Sequence, residues 1–173
     1  MSTYALDQIQ ALLPDALESR YSDRTGGTWG VVRREHIQSV ASLLKGLGWT
    51  LFLSMDGVDR LNLPEPTPRF EVVYFLYSPG RNEHVRLKVR VSEDDAEIPT
   101  IRNVFQGANW AERLVWDFYG VKFKGHGDLR RMLTYEEFKG HPLRKDYGIR
   151  DRQPLIPERP IKDIFRGPGT NGG

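Results

Sequence analysis

Between Val85 and Val91 the chain alternates without exception: Val85, Leu87, Val89 and Val91 are apolar, while Arg86, Lys88 and Arg90 between them are cationic. A period of two sends the two sets to opposite faces of a strand, so this segment is half buried. It commits the chain to a sheet with one packed face and one charged, wet face. Neighbouring segments supply the other strands. Phe70–Tyr77 and Trp49–Met55 are dense in bulky apolar residues, and Glu18–Asp23 and Thr28–Val32 flank Arg24-Thr25-Gly26-Gly27, whose glycines supply the positive φ of a tight hairpin turn. Asp56–Pro68, with Pro64, Pro66 and Pro68, is predicted as a loop, and Ser92–Pro99 as an acidic loop. No internal repeat is present.

Helical spacing marks three further segments. Leu6, Ile9, Leu13 and Leu17 follow Ser2 and Thr3, which are suitable caps, and Pro14 ends the segment. Ile37, Val40, Ala41, Leu44 and Leu47 form the clearest apolar stripe, closed by Gly48, and this helix is predicted to lie on the sheet. Ala111, Leu114, Val115 and Phe118 define a short amphipathic helix capped by Gly120.

Beyond that helix, Val121–Lys124 is a brief extended piece and Gly125-His126-Gly127-Asp128 a turn. Thr134 with Glu137 matches a capping box, predicting one helical turn over Tyr135–Lys139. Pro142 drives His141 from helical geometry, so Gly140–Tyr147 is predicted to be an extended arm carrying charge. From Ile149 onward there are four prolines and four glycines, with Leu155, Ile156, Ile161, Ile164 and Phe165 too apolar for a solvated linker. That tail cannot build a core and is predicted to drape over another surface, its last seven residues mobile.

Composition excludes several functions. The 173 residues contain no cysteine, which removes disulfides and the thiolates that hold iron–sulfur clusters or structural zinc. The longest strictly apolar run, Val72–Tyr77, is six residues, against roughly 20 to span a bilayer. With no export signal at the N-terminus, a soluble chain is predicted. Residues 1–121 carry 13 basic and 16 acidic groups, whereas residues 122–173 carry 12 and 7. The basic end suits an anionic partner. His126, Asp128 and His141 lack the close helical ligand pairs of a stable metal site, so His126 is read as a hydrogen-bonder in a turn or interface. Glu112 and Asp117 point in different directions along their helix, and Arg113, four residues before Asp117, is its predicted ion-pair partner. No nucleophile elbow, phosphate loop or dinucleotide fingerprint occurs.

The stretch from residue 112 to 147 carries a resemblance. Glu112-Arg113, Asp117-Phe118-Tyr119-Gly120, Gly125-His126, Asp128-Leu129-Arg130-Arg131 and Gly140-His141-Pro142-Leu143-Arg144-Lys145-Asp146-Tyr147 resemble the signature of the 30 kDa-type (C-type) subunit of proton-pumping NADH:quinone oxidoreductase, respiratory complex I. Gly57-Val58-Asp59, Phe70-Glu71-Val72-Val73-Tyr74, Ile98-Pro99-Thr100 and Gly107-Ala108-Asn109-Trp110 fall in that family's order, so the resemblance spans about residues 10 to 150. Three positions depart from it. Leu114 stands where the family usually has a second Glu, Gly127 where it usually has Pro, and Gly148 where Pro normally follows Asp146-Tyr147.

Pattern predicts an α+β domain: a mixed sheet of about five strands packed by helices mainly on one face, compact over residues 1–139, with an extended basic arm and tail over 140–173. The resemblance implies the function: a scaffold subunit of the hydrophilic arm, on the cytoplasmic or matrix side of an energy-transducing membrane, supporting electron transfer from NADH to quinone coupled to proton translocation. It implies no catalytic residue or cofactor on this chain. NAD, FMN, iron–sulfur clusters and quinone would belong to neighbours, chiefly the large quinone-pocket subunit and iron–sulfur subunits, and the membrane would be met only through the complex. Expected interface residues are Glu112, Arg113, Asp117, His126, Arg130, Arg131 and the arm His141, Pro142, Leu143, Arg144, Lys145, Asp146 and Tyr147. A homologous subunit of a membrane-bound hydrogenase or related dehydrogenase is the alternative. An RNA-binding module, favoured by the interleaved cations and aromatics, is the distant one; Asp128, Glu136, Glu137 and Asp146 interrupt that charge, and no nucleic-acid partner is expected.

Overall fold

The computed structural model describes residues 4–63 and 68–156. The proposed caps Ser2 and Thr3, residues 64–67 of the proline loop and the tail past Ile156 lie outside them. Helix α1 spans Tyr4–Leu12 and strands β1 and β2 Leu17–Ser22 and Thr28–Val32. A single 3-10 turn, Arg34–His36, leads into α2, Ile37–Gly46. Strands β3, Leu51–Asp59, β4, Phe70–Ser78, and β5, Glu83–Val91, come next. A short β6, Glu97–Pro99, precedes helix α3, Ala108–Tyr119, and β7 is Lys122–Lys124.

Strands β1 to β5 form a mixed sheet in the order β1-β2-β5-β4-β3, antiparallel except where β2 meets β5. The alternation of β5 sets its register: Val85, Leu87, Val89 and Val91 are buried and oppose Leu76, Tyr74, Val72 and Phe70 of β4. Helices α1 to α3 give Leu6, Ile9, Val40, Ala41, Leu44, Ala108 and Val115 to the same apolar cluster. The fold is therefore the two-layer α+β arrangement expected, with the helices' apolar faces on one side of the sheet.

Four local expectations fail for identifiable reasons. The first helix stops at Leu12, and Leu17 opens β1 rather than extending the stripe. Strand β3 runs on to Asp59, because Asp56-Gly57-Val58-Asp59 pairs with Val73 through Phe70, and a shift of register between Phe52 and Ser54 leaves Leu53 exposed. The acidic loop ends in β6, which pairs parallel with β7, an interaction that two three-residue segments do not advertise in sequence. No helix forms over Tyr135–Lys139, where only a turn closed by the Phe138 N–H and the Tyr135 carbonyl occurs.

Candidate partner interface

Helix α3 ends in a carboxylate that organises the chain beyond it. Oδ2 of Asp117 accepts the backbone N–H groups of Met132, Leu133 and Thr134 at 3.0, 2.9 and 3.0 Å. Oδ1 takes the Thr134 hydroxyl and, at 2.8 Å, the Arg131 guanidinium. Burial alone would raise the pKa of this carboxyl, but the Thr134 and Leu133 donors and Arg131 outweigh it and hold it well below the usual carboxylate range. Thr134 is thus taken by Asp117, and its capping box with Glu137 cannot form. The ion-pair partner of Asp117 is Arg131, not Arg113. Arg113 instead donates to the carbonyls of Arg130 and Arg131 and lies over the Trp110 ring.

One turn earlier, the buried Glu112 accepts the Ile101 N–H at 2.7 Å and the Thr100 hydroxyl at 2.5 Å. Burial pushes its carboxyl up to about 7 despite those bonds. His126 Nε2 stands 3.8 Å from it and 3.1 Å from the Asn109 carbonyl, while Nδ1 accepts the Asp128 N–H at 3.2 Å. His126 is therefore the hydrogen-bonder of its turn. Gly127 has φ +80, which proline cannot adopt.

Gly140–Tyr147 does not stand off as an extended arm. It turns back across the C-terminus of α3 and the end of β3 as a strap. His141 Nδ1 donates to the Asp117 carbonyl at 3.0 Å, the Leu143 N–H to Phe118 at 3.1 Å, and Arg144 Nε to Tyr119 at 2.7 Å. Three donors thus satisfy carbonyls that the end of a helix leaves orphaned. Gly120, at φ +78, makes room: a Cβ there would lie 2.6 Å from His141 Nε2 and Arg144 Nη2. Asp59 Oδ2 accepts the Lys145 N–H, and Arg69 reaches both Asp59 and Asp146. Tyr147 stacks on Phe138. Beyond it, the Gly148 N–H donates to Asp151, a bond that proline at this position would lack.

The expected interface residues therefore divide. Glu112, Arg113, Asp117 and His126 are buried in the chain's own interior and cannot face a partner in this conformation. His141, Pro142, Arg144 and Tyr147 are partly covered, and Arg131 joins them beneath the strap. Arg130, Leu143, Lys145 and Asp146 remain exposed. Leu143 and Leu114 line a cavity of about 140 Å³ with Gly57, Phe118 and Tyr119. Asp59 and Arg69, which fasten the strap, lie outside the expected site residues; the presence of Gly57-Val58-Asp59 among the signature segments is the one signal that points to the first of them. Past the strap, Ile149 and Leu155 are 99% and 97% exposed, and Leu133 is 66% exposed.

Fold and site together define a class: an α+β module that closes its last long helix with a C-terminal strap and exposes an apolar segment beyond it. Among the described residues, no group of three or more His, Asp or Glu side chains is placed to hold a metal ion, and no helix is long and apolar enough to cross a membrane. The family model for the respiratory-chain NADH dehydrogenase 30 kDa subunit matches residues 31–153. The C subunit of NADH-quinone oxidoreductase from Rhizobium rhizogenes is 37% identical over 85% of this chain and 70% of its own length. Subunit 5 of the Thermus thermophilus enzyme is 38% identical over 87% of this chain and 77% of its own. A Shigella flexneri chain named as a C/D subunit is 39% identical over 79% of this chain and 24% of its own. Among solved structures, the trypsin-resistant fragment (1–134) of Nqo5 superposes with a TM-score of 0.65 at 30% identity, over 72% of this chain and 99% of the fragment. A chain of the archaeal membrane-bound sulfane sulfur reductase gives 0.67 at 25% identity, over 84% and 85%. The chain belongs to the 30 kDa subunit family of respiratory-chain NADH dehydrogenase.

Proposed function

We propose that the chain is a scaffold subunit of the hydrophilic arm of an NADH:quinone oxidoreductase, holding its neighbours in place and carrying out no chemistry itself. The observation that carries this reading is the near-complete exposure of Ile149 and Leu155 on a segment anchored to a folded domain by the strap. Apolar side chains presented in this way suit a protein contact. The ionisable groups on which a reaction would draw, Glu112, Asp117 and His126, are buried and engaged in holding turns. In this reading NADH, FMN, iron–sulfur clusters and quinone lie on other subunits, and the chain sits on the cytoplasmic (or matrix) side of the membrane, which it meets only through the complex.

The principal neighbour is the large quinone-pocket subunit. A relative whose name joins C and D in one polypeptide supports a close contact with the D-type subunit. The structural likeness to a sulfane sulfur reductase chain gives a second reading, the same module in a membrane reductase with a different donor. A tagged chain recovered from mildly solubilised membranes, with partners identified by mass spectrometry, separates the two. Flavin-bearing NADH-module subunits support the first reading. Hydrogenase-type or other reductase subunits without such a module support the second, and RNA-bound proteins would contradict both.

A further inference from the structure

We propose that the open face of the sheet is a second docking site, for a carboxylate-rich protein segment of a neighbouring subunit. This rests on the reading of the chain as a subunit, but on the face of the sheet turned away from the helices' apolar cluster. The helices share one apolar cluster with the inward face of the sheet. Val31 and Val73 are 0% and 6% exposed yet stand outside that cluster, on the opposite face, where no helix of the described residues packs. Pairing brings Tyr21 beside Trp29, Trp29 beside Arg86, Val31 and Val73 beside Lys88, and Glu71 beside Arg90. The result is a strip of rings and cations across β1, β2, β5 and β4.

The Tyr21 and Trp29 rings are nearly parallel with centroids 6.5 Å apart, and Phe75 meets Trp29 edge-on at 5.7 Å. Lys88 Nζ lies 4.7 Å from the Trp29 centroid and 5.4 Å from that of Tyr21, and the Arg86 guanidinium is 5.5 Å from Trp29. Cations thus already occupy ring faces. A planar base would have to displace them to stack, whereas a carboxylate can add to their free donors. The balance of charge points the same way. Lys88 and Arg90 share the buried Glu71, which Arg60 also contacts, and Arg86 pairs with Asp23. Leaving Arg60 aside, three cations face two carboxylates, and the exposed Asp56 marks the margin of the strip on β3. An occupant that offers carboxylates to the cations and apolar groups to Tyr21 and Phe75 matches this surface.

The test uses the assembled complex, with the photoreactive residue p-benzoylphenylalanine placed at Tyr21 or, separately, at Leu155. After irradiation, the Tyr21 probe is expected to join a segment of another subunit in which Asp and Glu outnumber Lys and Arg. Lys88→Gln, which leaves Arg60 and Arg90 paired with Glu71 and whose folding is checked by thermal melting, should cut that adduct at least about fivefold while the Leu155 adduct persists. A Leu155 adduct without one at Tyr21 overturns the proposal and spares the subunit reading. A Tyr21 adduct with RNA, with a second copy of this chain or with a segment lacking the carboxylate excess also overturns the proposal. No adduct at either position contradicts both.

Discussion

The backbone N–H of Lys145 donates to Oδ2 of Asp59 across 2.9 Å, fastening the C-terminal strap to the end of an edge strand. The same carboxylate holds the Leu61 N–H at 2.9 Å and Arg69 through two bonds. Asp59→Ala removes all of these acceptors at once. Among the described residues from Gly140 on, trypsin should cut the wild-type chain at the exposed Arg150 and Arg152, whereas the variant should also be cut at Arg144 or Lys145. An unchanged cleavage pattern would show that Asp59 does not restrain the strap.

Asp117 is the larger anchor. Asp117→Ala leaves Arg131 and three backbone N–H groups without their acceptor, and removal of one partner of a buried charged pair costs about 3–5 kcal/mol. Urea unfolding should show a loss of that size. Arg113→Ala, which deletes bonds to two carbonyls but no ion pair with Asp117, should cost less.

Glu112 makes stability depend on pH in a defined window. Its carboxyl is raised from 4.5 to about 7 in the folded chain, so between those values the folded state binds more protons than the unfolded one. Its contribution is complete below about pH 4.5 and is lost as pH rises through about 7, a change of roughly 3 kcal/mol. Asp117, held low, works in the opposite sense and loses its contribution as the solution turns acid. Urea midpoints measured at pH 5 and pH 7.5 should fall less steeply in Glu112→Gln than in the wild type. Parallel profiles would contradict the assignment.

Charge alone suggests that Arg144→Glu spares the fold and weakens only docking. The structure revises that expectation, since the guanidinium bonds the Tyr119 carbonyl, lies 4.9 Å from the Phe70 ring centroid and pairs with Glu93. The substitution sets a carboxylate against Glu93 and should cost about 1–3 kcal/mol in the isolated chain. Thermal melting checks this, and a melting curve identical to wild type would return Arg144 to the solvent.

Elements with a strong local signal are legible in the residues alone. The strict period of β5, the stripe of α2 and the Gly120 cap of α3 each declare themselves within a dozen residues. The features that local pattern hides depend on distant partners. Asp56–Asp59 has loop composition but gains ladder bonds from β4, and Gly57 lets the Tyr119 ring approach. Thr134 matches a cap until Asp117 claims its hydroxyl and N–H. Gly140–Tyr147 lacks helical or strand periodicity because it is ordered by the orphan carbonyls of α3, which take the His141 and Arg144 side chains and the Leu143 N–H, and by Asp59, which takes the Lys145 N–H. Family resemblance marks this segment as important, but only geometry shows that much of it serves its own domain.

In the proposed function, the exposed apolar segment beyond the strap joins this chain to its neighbours. Ile149→Asp with Leu155→Asp tests that role, because neither side chain contributes to the core. Circular dichroism and melting of the isolated variant should match wild type. Burial of two such side chains is worth at least about 3 kcal/mol, so docking should weaken by about a hundredfold or more. Membranes carrying the variant should then yield little assembled enzyme and correspondingly low NADH:quinone activity, while NADH oxidation by an artificial acceptor survives better. A folded variant that assembles and turns over at the wild-type level would contradict the proposed role.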